Sequence, residues 1–166
     1  MRLKGEHTFT VKGDLQKVFE YASDFSNIDA WDPGTPSAHK DSSLTRPKQA
    51  PLGVGTQFNL RTVLLGYVTP TVYEILQYEP PRFMKIYGVS DFHDSYDSLW
   101  FQRDDRDPSL VRVTYVSEIQ LTGWYRYFEA VMSWLLLRLF KDAVRGLEKK
   151  MKSLESELQP TVASAR

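Results

Sequence analysis

The strongest constraint on the fold of this chain is a change in the spacing of its apolar residues near Gly123. Before that glycine, apolar and polar residues alternate in several short runs, which is the period of a β-strand. After it, no proline interrupts the sequence as far as Leu158, and apolar residues recur every three or four positions, as in an α-helix. We therefore expect a sheet followed by one long helix, over about residues 126–156, that lies across it.

The predicted helix is strongly amphipathic. Its polar side carries charged residues such as Arg138, Lys141 and Arg145. Placed at 100° per residue, its apolar face consists of Phe128, Met132, Leu135, Leu136, Leu139, Phe140, Ala143, Leu147 and Leu154. A helix of this length spans roughly 45 Å, so that only a broad sheet can cover the apolar face. A curved sheet around one long helix leaves a space between the two, and we expect the functional site there.

The upstream segment predicts an antiparallel meander, because short breakers separate its strand-like runs. These runs are Thr56–Leu65, Tyr67–Gln77, Arg82–Val89, Tyr96–Arg103 and Leu110–Leu121. A first strand is expected at Leu3–Val11 and an edge strand near Ala38–Ser43, with two short helices between them. The predicted fold is α+β, a curved antiparallel sheet of about six to seven strands on a long C-terminal helix. Residues 1–158 are expected to form a single domain and residues 159–166 a flexible tail.

Charge and composition exclude several classes of protein. The chain has 21 Lys and Arg residues against 21 Asp and Glu residues, so no net charge attracts it to nucleic acid or to an anionic membrane. It contains no cysteine, which excludes disulfides and thiolate chemistry. The longest nearly apolar run, Ala130–Phe140, is too short to cross a bilayer, which takes ~20 residues. With no signal-like apolar stretch after Met1, we expect a soluble, cytoplasmic protein.

Aromatic residues at alternating strand positions are the best candidates for a ligand pocket, which is typically apolar with a few polar anchors. The residues predicted to bind a ligand are Trp31, Phe58, Leu60, Tyr73, Tyr87, Trp100, Tyr115, Leu136 and Phe140. The alternative is that the aromatics simply favour strands. The sequence leaves two alternatives for which side chains of the strand around Lys85 face inward. They are either Phe83 and Tyr87 or Met84 and Ile86.

The histidines do not form a recognisable metal motif. His7, His39 and His93 lack the spacing of paired metal ligands, and we expect neither a metal site nor a cofactor. His93 lies in the segment Asp91–Asp94, which suggests either an acid–base cluster or, as we favour, a polar hairpin.

Three carboxylates fall near the candidate pocket. Asp32 precedes Pro33 and Gly34, and we expect it to bond the amides of that turn rather than to act in the pocket. Glu74 and Glu118 alternate out of phase with their apolar neighbours. We therefore expect both to face solvent, and no catalytic residue is identified.

The start of the final helix is apolar on nearly every side. Trp134 and Leu137 project away from the predicted core face, close to Trp124, Tyr125 and Tyr127. Such a patch is typical of an interaction surface. It either packs within the chain, forms a homodimer through Trp134 and Leu137, or contacts a membrane. Between the two external partners we favour the dimer, because few basic residues flank the patch.

Several phrases of the sequence resemble the START-like helix-grip superfamily, and in particular its polyketide cyclase/dehydrase and lipid transport branch. The resemblance covers about residues 3–155 and rests on Ala30-Trp31-Asp32-Pro33-Gly34, Gly53-Val54-Gly55-Thr56, Tyr73-Glu74-Ile75, Tyr78-Glu79-Pro80-Pro81-Arg82 and Val111-Arg112-Val113-Thr114-Tyr115. The resemblance supports the fold predicted above but does not fix a function, since one fold hosts many functions.

Three functions are compatible with this resemblance. The first is binding or carriage of a small apolar or aromatic ligand between sheet and helix. The second is an enzyme using the same cavity, a cyclase, dehydratase or isomerase. The third is a protein-interaction module that acts through the apolar surface of residues 124–140. We rank them in this order, because no acid–base constellation stands out in the sequence.

Overall fold

The computed structural model describes residues 2–160, which form a seven-stranded antiparallel sheet and a long C-terminal helix. The strands are β1 Leu3–Lys12, β2 Ser37–Asp41, β3 Gln57–Leu64, β4 Tyr67–Glu79, β5 Phe83–Ser90, β6 His93–Arg103 and β7 Leu110–Leu121. The helices are α1 Leu15–Ser23, α2 Glu129–Ser153 and two 3-10 helices, Phe25–Ala30 and Gly123–Phe128. The predicted tail lies mostly outside the described residues, which end at Pro160.

The sheet order is β1-β7-β6-β5-β4-β3-β2, so only the β1–β7 pairing joins strands distant in sequence. The other neighbours follow one another along the chain, as short connections favour. α1 begins at Asp14, whose carboxylate accepts hydrogen bonds from the amides of Gln16 and Lys17. This architecture confirms the predicted fold class.

α2 is shorter than predicted. It begins at Glu129 rather than near residue 126, because the 3-10 helix Gly123–Phe128 occupies its first predicted turn. Its buried stripe is Met132, Leu136, Phe140, Val144, Leu147 and Met151. Phe128, placed on the core face by the helical projection, is instead 53% exposed. The stripe otherwise follows the predicted spacing of three or four residues.

The core consists of two clusters of buried side chains. The larger cluster packs α1 and the C-terminal half of α2 on the sheet, with Phe19, Phe101 and Leu147 among its members. The smaller cluster surrounds the N-terminal half of α2 and includes Leu64, Phe92 and Met132. Between the two clusters, the inward positions of β6 are polar, at His93, Ser95 and Asp97.

Candidate functional site

A cavity of about 120 Å³ lies between the two core clusters, under α2. The larger cluster contributes Trp31 and Tyr115 to its wall, and the smaller one contributes Phe92 and Leu136. The volume resembles that of an engineered cavity of roughly 150 Å³ that accommodates one benzene molecule. The cavity therefore has room for a single ring.

The cavity exists because the inner face of the sheet changes character along the central strands. In β6 the buried positions run from His93 through Ser95 and Asp97 to Leu99 and Phe101. The last two fill the core beneath α1. The first three are polar. They border the cavity because their side chains leave space between the sheet and α2 unfilled.

The carboxylate of Asp97 is the centre of a buried hydrogen-bond network. It accepts hydrogen bonds from the hydroxyls of Ser117, directly opposite on β7, and of Tyr115, the latter at 3.1 Å. Tyr73 on β4 also hydrogen-bonds to Asp97 and accepts from the Ser95 hydroxyl at 3.3 Å. Burial raises the pKa of Asp97 to about 6, although these hydroxyls favour the ionised form and oppose the rise.

The reach of Tyr73 into this network depends on Gly88 of β5, its neighbour in the sheet. A Cβ at position 88 would lie about 2.5 Å from the Tyr73 ring and 2.7 Å from Ser95 Oγ. The glycine thus leaves room for the phenol to lie across the sheet toward β6. Burial raises the pKa of the Tyr73 and Tyr115 phenols, so that both remain protonated hydrogen-bond donors at neutral pH.

A second carboxylate, Asp32, lies on the wall after the first 3-10 helix. Its oxygens accept hydrogen bonds from the Gly34 amide at 2.8 Å and from the Thr35 hydroxyl at 2.6 Å. These are the turn contacts expected from the sequence. Burial raises the pKa of Asp32 despite the two hydrogen bonds, and the negative charge of Asp142 on α2 raises it further.

His93 is the one histidine at the cavity wall among residues 2–160. Its Nδ1 lies 2.8 Å from the Ser90 hydroxyl, within the β5–β6 turn. Burial lowers the pKa of His93 to about 4, so its ring is neutral at pH 7. Within the part of the chain that the structure describes, no three His, Asp or Glu side chains come together as metal ligands.

Five of the nine predicted ligand-binding residues lie at the cavity. They are Trp31, Tyr73, Tyr115, Leu136 and Phe140. Phe58 and Leu60 are buried in the larger core cluster instead, where Phe58 contacts the Phe25 ring. That any of the five binds a ligand remains a prediction.

Tyr87 and Trp100 do not reach the cavity, and their inward placement was wrong. Both lie on the outer face of the sheet, where Tyr87 packs on Tyr96 and Trp100 packs on Phe83 across the β5–β6 pair. Trp100 is 43% exposed. The inward phase of β5 is Met84, Ile86 and Gly88, the alternative that the position of Lys85 left open.

Asp97, Ser95 and Ser117 were not predicted at the cavity from the sequence. In β6 the large aromatic Trp100 set the assumed phase, although Leu99 and Phe101 already formed an alternating apolar pair. Extending that pair backward by steps of two reaches Asp97, Ser95 and His93. The signal was therefore present, but a rule that seeks apolar inward residues overlooks a strand whose buried positions become polar.

The family of the chain follows from its sequence and agrees with the geometry. A sequence profile described as "Polyketide cyclase / dehydrase and lipid transport" matches residues 2–152. The chain belongs to this family, which confirms the resemblance drawn from the short sequence phrases. No curated protein matches significantly.

Solved structures share the fold at low sequence identity. A protein of Thermus thermophilus is 15% identical with a TM-score of 0.70, over 98% of this chain and 99% of that one. A START superfamily protein from Mycobacterium smegmatis is 12% identical with a TM-score of 0.67, over 94% and 99%. The Zhui aromatase/cyclase from Streptomyces sp. R1128 is 13% identical with a TM-score of 0.64, over 95% and 94%. At these identities, the likeness shows the helix-grip fold alone.

Proposed function

We propose that the protein binds or carries a small apolar or aromatic ligand in the cavity under α2. The supporting observation is the wall itself, which combines apolar side chains with one buried polar network centred on Asp97. Apolar surface provides affinity, and a few convergent polar groups orient the ligand. The family, whose description includes lipid transport, is compatible with such a role.

Filling the cavity tests this proposal. Ala143 lies on the cavity wall, so Ala143→Phe should occupy the space where a ring would bind. The same substitution at Ala130, an exposed position of α2, is the matched control. Titration with indole, followed by calorimetry, should show binding to the wild type and to Ala130→Phe but not to Ala143→Phe. A folded Ala143→Phe variant that binds indole normally would contradict the proposal.

The natural ligand is best sought in the purified protein. Native mass spectrometry under gentle conditions should detect a co-purified small molecule, whose mass then identifies its class. The Ala143→Phe variant, purified in the same way, should lack this mass.

An enzyme that uses the same cavity is the second candidate, because Asp97 supplies an acid–base group. With a pKa near 6, this carboxyl can take a proton from a substrate carbon or return one near neutral pH. One of the similar structures is an aromatase/cyclase. A linear β-polyketone thioester should then cyclise faster with wild type than in buffer, and Asp97→Asn should slow this by ~100-fold or more. Cyclisation at the rate in buffer would exclude this candidate.

A protein contact through α2 is the third candidate, because an apolar surface stays exposed there. Val131 and Trp134 lie on the side of α2 opposite the buried stripe, and Trp134 is 63% exposed. Tyr127 is exposed in the preceding 3-10 helix. Leu137 is partly buried, and Arg138 lies over the Trp134 ring at 5.6 Å. We favour a second copy of the chain as the partner, because the balanced charge gives little attraction to anionic lipid.

The double variant Trp134→Glu, Leu137→Glu tests the dimer. It should elute as a smaller species than the wild type with unchanged circular dichroism. A wild type that is monomeric at high concentration would exclude the dimer, and liposome binding by that monomer would instead indicate a membrane surface. No helix within residues 2–160 is long and apolar enough to cross a bilayer.

A further inference from the structure

The charged groups on the cavity wall are unbalanced. Asp32 and Asp97 both border the cavity, and no Lys or Arg side chain is among the lining residues of the described chain. His93 is neutral at pH 7, so it does not offset the two acids. The cavity is therefore acidic, although the protein as a whole has a formal charge of zero.

Three hydroxyl groups point their hydrogens toward the Asp97 carboxylate, and a fourth supports one of them. Ser117, Tyr115 and Tyr73 donate to Asp97, and Ser95 donates to Tyr73. Hydroxyls stabilise a buried carboxylate less than a cationic partner does. The negative charge of Asp32 also raises the pKa of both phenols, so the field of the second acid extends to the same network.

Aromatic rings complete this environment. Trp31, Phe92 and Phe140 line the cavity together with the two tyrosines. The face of an aromatic ring attracts a cation, most strongly where water is excluded. A positively charged group in this cavity thus meets two carboxylates and a wall rich in aromatic rings, whereas an anion is repelled by the carboxylates.

We infer that the cavity selects a ligand with a protonated amine on a single-ring or similarly compact apolar body. This inference rests on the proposed function and narrows it. The amine would lie against Asp97, with the apolar body between Phe140 and Leu136. Fatty acids and other carboxylates are disfavoured by the same wall.

Three probes that share one ring test the inference: benzylamine, which is protonated at pH 7.5, neutral benzyl alcohol and anionic benzoate. Calorimetry on the wild type should show benzylamine binding at least tenfold more tightly than benzyl alcohol, with benzoate weakest. Equal affinity for amine and alcohol would overturn the inference but leave the proposed function standing. Binding of none of the three would contradict the proposed function itself.

Asp97→Asn should reduce the preference for the amine over the alcohol to less than about threefold. The matched control is Asp105→Asn, at a side chain 87% exposed, which should keep the full preference. Circular dichroism and thermal melting confirm folding of each variant. An amine preference that persists in folded Asp97→Asn, or disappears in folded Asp105→Asn, would overturn the role of Asp97.

Discussion

At the scale of single residues, Asp97 and His93 are two buried groups that make stability depend on pH in opposite directions. Burial raises the pKa of Asp97 from 3.8 to about 6, so its folded form binds a proton more tightly than its unfolded form. Stability from this group therefore falls as pH rises from about 4 to 6. Burial lowers the pKa of His93 from 6.5 to about 4, so its contribution rises with pH over nearly the same range. The two slopes partly cancel in the wild type.

The substitution Asp97→Asn should separate the pH dependence that Asp97 causes from that of His93. Asparagine cannot ionise, so the variant lacks the loss of stability that Asp97 causes above pH 4. The difference in unfolding free energy, variant minus wild type, should be about 2 kcal/mol more favourable to the variant at pH 7.5 than at pH 4.5. Urea unfolding at both pH values measures this, with Asp105→Asn as the exposed control. A difference independent of pH would mean that the Asp97 pKa is not raised by folding.

At Gly146 in α2, the addition of a single carbon atom should change the stability of the protein. A Cβ at this position would lie 1.8 Å from the backbone oxygen of Trp31, so the chain leading into the cavity wall could not stay in place. Alanine gains ~1 kcal/mol of helix propensity over glycine. Overpacking against backbone costs roughly 3 kcal/mol, because no rotamer change relieves it.

Gly146→Ala should therefore lower the unfolding free energy by about 2 kcal/mol. Lys141→Ala, at an exposed position of the same helix, should change it by less than about 0.5 kcal/mol. Denaturant midpoints give both values. A more stable Gly146→Ala variant would show that helix propensity outweighs the contact with Trp31.

At the scale of elements, the two halves of α2 differ in how completely they are buried. Leu147 is fully buried beneath the larger core cluster, whereas Leu136 borders the cavity. Leu147→Ala should cost about 4 kcal/mol and Leu136→Ala about 2 kcal/mol, because fewer contacts surround the second side chain. Chemical denaturation of both variants measures the difference. The reverse order would mean that the cavity half of the helix is the better packed.

Elements whose apolar period is long and regular were predictable from the sequence. The stripe Met132, Leu136 and Phe140 indicates a helix whatever surrounds it, and the runs of β3 and β7 alternate clearly. Their order then leaves few topologies open. For the same reason Tyr115, Leu136 and Phe140 could be placed at the cavity wall in advance.

The phases of β5, of β6 and of the part of β4 after Ile75 were less accessible, because each depends on something outside its own sequence. A register shift between Ile75 and Gln77 changes which residues of β4 face inward. The outer face of β5 and β6 carries aromatic cross-strand pairs, such as Tyr87 with Tyr96, that resemble core residues. The inward positions of Asp97 and Ser95 follow from the alternation of β6, but their hydrogen bonds could not be predicted, since the donors to Asp97 come from other strands.

At the scale of the whole molecule, the division of the core gives the protein one densely filled end and one end with space. The filled end holds α1, Leu147 and Met151 against the sheet, and the aromatic contacts of Phe19 with Tyr78 and Phe101 lie there. The other end holds the cavity, the start of α2 and the exposed aromatics Trp124, Tyr127, Phe128 and Trp134. Dense packing and the cavity thus occupy different parts of one sheet.

This division implies that local unfolding occurs more readily at the cavity end of α2 than at the filled end. Val144, Leu147 and Met151 are completely buried, whereas Phe140, above the cavity, retains 9% exposure. Amide hydrogens in the first turns of α2 should therefore exchange with solvent through local opening, while those near Leu147 should exchange only through global unfolding. Hydrogen exchange followed by mass spectrometry measures both, and uniform protection along α2 would contradict the expectation. If the first turns of α2 open locally, a molecule in the cavity can enter and leave while the filled end stays folded. Its entry and release then require far less free energy than global unfolding.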